Sequence, residues 1–304
     1  MSITVYVPGD SGAIALGANQ VAKVLLQEAE QQGQEIQLVR NGSRGMYWLE
    51  PLLEVMTDAG RIAYGPVQAG DVKSLIAADF LHGGAHPLKV GVIEELDYFK
   101  RQQRLTFARV GLTDPVSLDD YLQHDGFRGL KNALNMSGAD IVKQVTDSGL
   151  RGRGGAAFPT GIKWNTVLNT ASEQKYIICN ADEGDSGTFS DRMIMEGDPF
   201  VLIEGMIIAG LAVGATQGYI YLRVEYPHAE QALNSAIATA YQAGYLGDNI
   251  LGSGKRFELE VRLGAGAYVC GEETSSWRAW KASAAWYASS LRCLPSAAYS
   301  ANRP

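Results

Sequence analysis

Apolar and polar positions along the chain switch repeatedly between a period of two and a period near 3.6. Ile3–Val7 is a short apolar run that predicts a first strand. Val21, Val24, Leu25 and Ala29 recur at helical spacing, so Ala18–Gln32 is predicted to be a helix ending near Gly33. Glu35–Val39 predicts a second strand. Leu52–Met56 and Arg61–Tyr64 flank the turn-rich tetrapeptide Thr57-Asp58-Ala59-Gly60 and predict a hairpin. Val72–Asp79 predicts a short helix. Residues 1–103 are thus expected to form one small α/β domain, and 104–148 a helical connector. In that connector Ser137 and Asp140 have capping-box spacing ahead of Ile141, Val142 and Val145. Gly149 stands where a helix-ending glycine belongs.

From residue 150 strand and helix patterns alternate. Lys175–Cys179 is a continuous apolar run, as in a buried parallel strand. Asp198 and Pro199 are expected to cap and open a helix over Phe200–Val213. Gly218–Val224 predicts a strand, His228–Ala243 a helix and Phe257–Leu263 another strand. This order predicts a wound α/β sheet with its ligand at the carboxyl ends of the strands, over residues 149–274.

Composition adds exclusions. The chain has 304 residues, 46% hydrophobic and 19% charged, as expected of a globular protein with a core. A formal net charge of −7 argues against a broad nucleic-acid footprint, so any anion site must be local. The start MSITVYVPGD reads as a strand and not as a signal peptide. The most apolar window, Pro199–Ala215, is short for a membrane span and carries Glu204, so no membrane insertion is expected. Cys179, Cys270 and Cys293 are far apart and form no CxxC pair, which argues against a disulfide scaffold, a zinc site or an iron–sulfur cluster. A reducing, cytoplasmic location is expected.

Three clusters carry candidate chemistry. The first is GLRGRGGAAFPTGIKW, residues 149–164, with five glycines and the cations Arg151, Arg153 and Lys163. Glycines let a backbone approach a ligand and aim its N–H groups, and the cations favour a phosphate there. Phe158 and Trp164 offer flat apolar surface for a ring system. No strand precedes this loop, so it is not an ordinary dinucleotide fingerprint. The second cluster is Asn180-Ala181-Asp182-Glu183-Gly184-Asp185-Ser186-Gly187, after the strand Lys175–Cys179. Its amide and carboxylates suit ribityl or ribose hydroxyls, which need both donors and acceptors. The third, Gly264 to Thr274, follows the strand Phe257–Leu263 and contains Tyr268, Cys270, Gly271, Glu272 and Glu273. A lone Cys270 is more often a small core residue than a nucleophile.

In this order the three motifs resemble the FMN-binding flavoprotein subunit family shared by respiratory NADH dehydrogenase, NAD-reducing hydrogenases and NAD-dependent formate dehydrogenases. The resemblance runs from about Arg104 to Thr274. It implies that Gly152, Gly154, Gly155 and Lys163 lie along the flavin and its phosphate, with Arg153 beside them and Phe158 near the nicotinamide or adenine. It implies that Asn180, Asp182 and Glu183 hold the ribityl chain or phosphate. Tyr268, Gly271, Glu272 and Glu273 would line the isoalloxazine and nicotinamide pocket. Asp185 stands where many relatives carry Glu. The implied cofactors are FMN and NAD, with hydride exchange between nicotinamide and flavin and single electrons passing to iron–sulfur clusters. That chemistry needs no protein acid or base, so no catalytic residue is assigned. The start of the chain, with NGSRGMYWLEPLLEV, most resembles the beta subunit of molybdenum-containing formate dehydrogenase. The implied partners are a small [2Fe–2S] subunit and a large molybdenum formate dehydrogenase subunit.

Two departures from the family matter. Residues 1–103 resemble the thioredoxin-like fold of the family's [2Fe–2S] subunit, but Ser43 and Met46 stand where its thiols would be, so no cluster is expected there. After Thr274 the family continues Leu-Leu-Glu-Ser-Leu-Glu-Gly and later supplies four cysteines for a [4Fe–4S] cluster. Here the tail 275–304 begins Ser-Ser-Trp-Arg-Ala-Trp-Lys-Ala and lacks those cysteines. Written as TCC TCC TGG AGA GCC TGG AAG GCN and read from the third base, it becomes CTC CTG GAG AGC CTG GAA GGC, which encodes the family heptapeptide. A single-base frameshift near Ser275 is therefore expected, giving a truncated subunit with an aberrant tail rich in exposed Trp277, Trp280 and Trp286. Resequencing that shows no shift would remove the idea.

Overall fold

A computed structural model of the chain describes residues 2–153 and 156–266. They form two compact units, one of residues 1–126 with Arg192–Phe200, the other of Phe127–Asp191 with the chain from Val201 onward. Both are α/β.

The first unit is built on a mixed five-stranded sheet. Its elements are β1 (Ile3–Tyr6), α1 (Ser11–Ala15), α2 (Ala18–Gln31), β2 (Ile36–Val39), β3 (Leu53–Thr57), β4 (Gly60–Tyr64), α3 (Val72–Ala77), β5 (Lys89–Val92), α4 (Asp97–Lys100) and α5 (Leu118–Gln123). The strand order is β2-β1-β3-β4-β5, with β1 and β2 parallel and the other neighbours antiparallel. The parallel pair is joined by α2, whose apolar stripe Val21, Leu25 and Ala29 is fully buried, with Val21 and Leu25 in one core with Val5, Val55 and Tyr64. The predicted hairpin forms in register, Thr57 opposite Gly60, and the Thr57 hydroxyl donates to Gly60 O at 2.8 Å. The helix predicted over Val72–Asp79 stops earlier, at Ala77, because Asp79 adopts a left-handed conformation with φ 56°.

This unit also buries charge. Arg44 donates to both oxygens of Glu54, at 2.9 and 2.7 Å, and to Glu94 at 3.3 Å. Glu54 is 0% exposed and its second cation is Arg61, at 3.6 Å. The Arg61 guanidinium lies 3.5 Å from the centre of the Tyr6 ring and donates to Gly111 O at 3.0 Å. A network in which every partner is bonded is what makes buried charge tolerable.

The second unit contains α6 (Arg128–Ala133), α7 (Gly138–Asp147), α8 (Thr160–Asn169), β6 (Tyr176–Ala181), the start of α9 (Ser190–Gly197), most of α10 (Pro199–Val213), β7 (Gln217–Leu222), α11 (Pro227–Gln242) and β8 (Glu258–Leu263). Its sheet is parallel, in the order β6-β7-β8. The expected cap holds, since Ser137 Oγ accepts from Asp140 N at 3.2 Å at the start of α7. Phe257 is fully buried between two glycines: a Cβ at Gly210 in α10 would lie 2.4 Å from its ring, and one at Gly218 in β7 2.7 Å. These positions are small because an aromatic ring occupies the space.

One expectation needs correction. The apolar run 175–179 predicted a strand buried on both faces, yet β6 lies at the edge of the described sheet and Ile178 is 40% exposed. Period-two burial is weaker in a run of apolar residues, so an edge strand of a parallel sheet reads like a central one. Glu204, which argued against a membrane span, has a structural task. Its carboxylate accepts from Phe127 N at 2.8 Å and Leu130 N at 2.9 Å, capping α6 from a neighbouring helix. No helix among the described residues is long and apolar enough to cross a membrane.

Candidate functional site

The three described strands of the second unit end level with one another. Ala181 pairs with Leu222, and Leu222 with Leu263, so the segments after β6, β7 and β8 leave one edge of the sheet together. That edge is where a parallel α/β sheet presents its ligand. Register alone therefore brings Asn180, Asp182 and the segment from Gly264 to a common line.

The segment after β6 is held by several hydrogen bonds. Asn180 Oδ1 accepts from Asp182 N at 3.1 Å, folding the chain into an Asx turn. Glu183 Oε1 accepts from Ser190 Oγ at 3.2 Å and Asp191 N at 3.1 Å, which places a carboxylate on the first turn of α9. Glu183 Oε2 accepts from Tyr226 Oη at 3.2 Å, and the Arg223 guanidinium donates to Glu183 O. Arg223 also pairs with Glu225 at 3.2 Å, an exposed partner that raises its already high pKa, and its guanidinium lies 4.9 Å from the Tyr226 ring centre. Glu183, expected along the cofactor, is therefore anchored to the protein by its carboxylate and its carbonyl. Asp185 lies further along the same segment, exposed, and its carbonyl accepts from Thr188 N and Oγ1.

Sequence reasoning missed Arg223 and Tyr226. The signal was present, because Arg223 lies near the end of, and Tyr226 just after, the strand predicted over Gly218–Val224, whose carboxyl end the wound-sheet rule marks, but no glycine or acidic motif drew attention to them.

The glycine-rich loop spans α7 and α8, with no strand before it, as expected. It closes on itself: Gly152 N donates to Phe158 O at 2.9 Å, Thr160 N to Leu150 O at 2.9 Å, and Arg151 Nε to Ala157 O at 2.6 Å. Ala157 is left-handed at φ 48°, a strained conformation for a residue with a Cβ and common where a loop must present its backbone. Arg153, Phe158 and Lys163 are exposed, Phe158 by 49%. The five glycines divide by task. Gly149 ends α7 with φ 68°. Gly161 lets α8 approach α7, since a Cβ there would lie 2.7 Å from Thr146 Cα. Gly152 has open space, with no atom nearer than 3.7 Å to such a Cβ. Gly154 and Gly155 lie outside the described residues, as do Tyr268, Cys270, Gly271, Glu272, Glu273 and the whole tail 275–304. Trp164, expected as ligand-facing surface, instead packs on the core cluster of Ile141, Val142 and Ala212. Helical spacing explains this, because Trp164 lies on the α7-facing side of α8 with Gly161.

At β8 the chain turns through Gly264, whose N donates to Leu222 O at 2.7 Å and whose Cβ position lies 3.1 Å from Tyr221 Oη. A side chain there would press on Tyr221. No group of three or more His, Cys, Asp or Glu among the described residues is placed to hold a metal ion.

Much of this sequence recurs in known proteins. The NADP-reducing hydrogenase subunit HndC of Solidesulfovibrio fructosivorans is 52% identical over 176 residues, which is 58% of this chain and 36% of that relative. The NADH-quinone oxidoreductase F subunit of Aquifex aeolicus (strain VF5) is 53% identical over 159 residues, 52% of this chain and 37% of the relative. Its counterpart in Escherichia coli (strain K12) is 50% identical over 163 residues, 53% of this chain and 37% of the relative. The chain thus matches little more than a third of the length of these relatives. Among solved structures, a chain of NAD+-reducing [NiFe]-hydrogenase in the air-oxidized state aligns with 90% of this chain and 45% of its own length, at 23% identity and a TM-score of 0.44. Residues 145–281, which hold the glycine-rich loop and the ends of β6, β7 and β8, match the family described as the Nuo51 FMN-binding domain.

Proposed function

We propose that this chain is the FMN-binding, NAD(H)-oxidising or NAD-reducing flavoprotein subunit of a multisubunit electron-transfer enzyme. The observation that carries the reading is the match of residues 145–281 to the Nuo51 FMN-binding domain. The donor set fits the cofactor. Arg153 and Lys163 supply cations for a phosphate, and Asn180 and Asp182 supply an amide and a carboxylate for ribityl hydroxyls. The open Cβ position at Gly152 leaves room for a ring or phosphate against the backbone. Gly154, Gly155, Tyr268, Gly271, Glu272 and Glu273 complete the proposed set. Bound FMN supplies the hydride and single-electron chemistry. The chain's own residues hold it: the Tyr226–Glu183–α9 tether keeps Asn180 and Asp182 at the sheet edge.

The finer reading is the beta subunit of a cytoplasmic, molybdenum-containing formate dehydrogenase, working with a small [2Fe–2S] subunit and a large molybdenum subunit. A βαβ unit closed by an antiparallel hairpin supports a thioredoxin-like first domain, of residues 1–103. Ser43 there is buried and donates to Glu50 Oε1 at 2.7 Å, and Met46 is 1% exposed, which supports a packing role at both positions. The NADH dehydrogenase and hydrogenase relatives supply the runner-up contexts, and the shifted-frame tail supplies a second reading, an inert flavoprotein fragment.

Purified chain reconstituted with FMN is expected to be yellow, to reduce an artificial dye on addition of NADH, and to carry no iron. Colourless protein that ignores NADH would overturn the enzyme reading in favour of the inert fragment. Replacing Tyr226 with phenylalanine removes one donor from Glu183. It is expected to weaken FMN binding about three- to tenfold, the effect of one net hydrogen bond. Fluorescence titration of FMN checks this, and an unchanged affinity would show that the tether does not serve the cofactor.

A further inference from the structure

The first unit contains a cavity of about 280 Å³ whose lining includes Arg44, Glu94, Phe99, Lys100 and Arg104. The volume is below the roughly 300–1,000 Å³ of pockets that bury a drug-sized ligand, so it suits a small molecule. Three of these five side chains are cations, and two of them are already neutralised. Arg44 is bonded to Glu54 and Glu94, and Lys100 pairs with Glu95 at 2.6 Å. Glu94 lines the cavity too, but Arg44 holds its carboxylate at 3.3 Å.

Arg104 differs. It is half-buried, and its guanidinium lies 5.3 Å from the centre of the Phe99 ring. Among the described residues it has no carboxylate or carbonyl partner; its surroundings are the Phe99 ring, the like charge of Arg44 and the phenol of Tyr98. Burial first, then the like charge of Arg44, press its pKa down, and Tyr98 offsets only part of that. A ring face attracts the cation only weakly and leaves the guanidinium N–H donors unused. Arg44 and Arg61 are balanced by Glu54 and Glu94, so Arg104 is the surplus positive charge of the cavity.

We propose that this cavity is a binding site for a small free oxyanion of the phosphate or carboxylate type, received by the fork of Arg104. A planar guanidinium matches two oxygens of either group. The site is independent of the flavin reading and uses no residue of the three clusters assigned to the cofactor.

The test uses the full chain, titrated with sodium phosphate and separately with sodium acetate at constant ionic strength, and followed by calorimetry and thermal unfolding. Saturable binding of at least one anion is expected, and the two arms tell phosphate from carboxylate preference. Arg104→Met is expected to abolish it and Arg104→Lys to weaken it about tenfold, since a point charge replaces a fork. Lys163→Met is expected to retain it, which separates this cavity from the proposed flavin phosphate site. Circular dichroism establishes that each variant is folded, and if Arg104→Met is not, Arg104→Lys decides. The proposal is overturned by no saturable response to either anion, by wild-type binding in Arg104→Lys or Arg104→Met, or by loss of binding in Lys163→Met.

Discussion

Replacing Glu54 with glutamine is expected to destabilise the first unit by about 3–5 kcal/mol, the range for breaking a buried ion pair from one side. Glu54 sits in mid-sheet, opposite Tyr6 on β1 and Ala63 on β4, and is wholly shielded from water. Two arginines depend on it. Burial alone would lower the pKa of Arg44, but Glu54 and then Glu94 more than offset it and the net shift is upward. Glutamine keeps the volume and removes the charge, so Arg44 and Arg61 would be left as buried cations with only the half-exposed carboxylate of Glu94 to balance them. Urea unfolding followed by far-UV circular dichroism measures the loss, and a change below about 1 kcal/mol would show that water reaches the network. Pairing Glu54→Gln with Arg44→Met is expected to recover part of the stability, because the larger of the two uncompensated costs is then removed.

Stability should also fall as pH rises from about 4.5 to 7, and Glu50 should be a principal cause. Burial pushes its carboxyl up to about 7, against the Ser43 hydroxyl and Leu52 N–H, which both favour the ionised form. The folded state thus holds a proton that the unfolded chain releases near pH 4.5. The stabilisation is fully present below about 4.5 and is lost as pH passes 7. Its size is about 3 kcal/mol, at roughly 1.36 kcal/mol for each pH unit between the two values. Asp10 and Glu196, also raised by burial, act in the same direction. Comparison with Glu50→Gln isolates one contribution: the variant should match the native chain near pH 4 and be more stable at pH 8. Parallel stability curves for the two proteins across this range would refute the assignment.

What could be read in advance followed from local rules. The hairpin at Thr57–Gly60, the Ser137 cap of α7, the turn at Gly149 and the alternation of β6, α10, β7, α11 and β8 each depend on a few neighbouring residues. The three motifs were legible because glycines, cations and strand ends have meaning at short range. Residues whose tasks are non-local were not. Arg223 and Tyr226 matter only because parallel register sets the end of β7 beside Glu183. Gly161 looked like one more loop glycine until Thr146 on α7 stood against it. Trp164 looked like ligand surface until helix packing turned it inward.

The amino-acid sequence by itself determined the α/β class, the order of most strands and helices, and the clusters at 149–164, 180–187 and 264–274, since composition and period specify backbone preference wherever a residue's neighbours along the chain decide its environment. Only the tertiary structure decided that β6 lies at the edge of the described sheet, that Glu204 caps α6, that Glu54 gathers two arginines, and that Arg104 lines a cavity with no carboxylate partner among the described residues. Those are matters of burial and of partners far apart in the chain, where the energy of a charge depends on what else is excluded from water beside it.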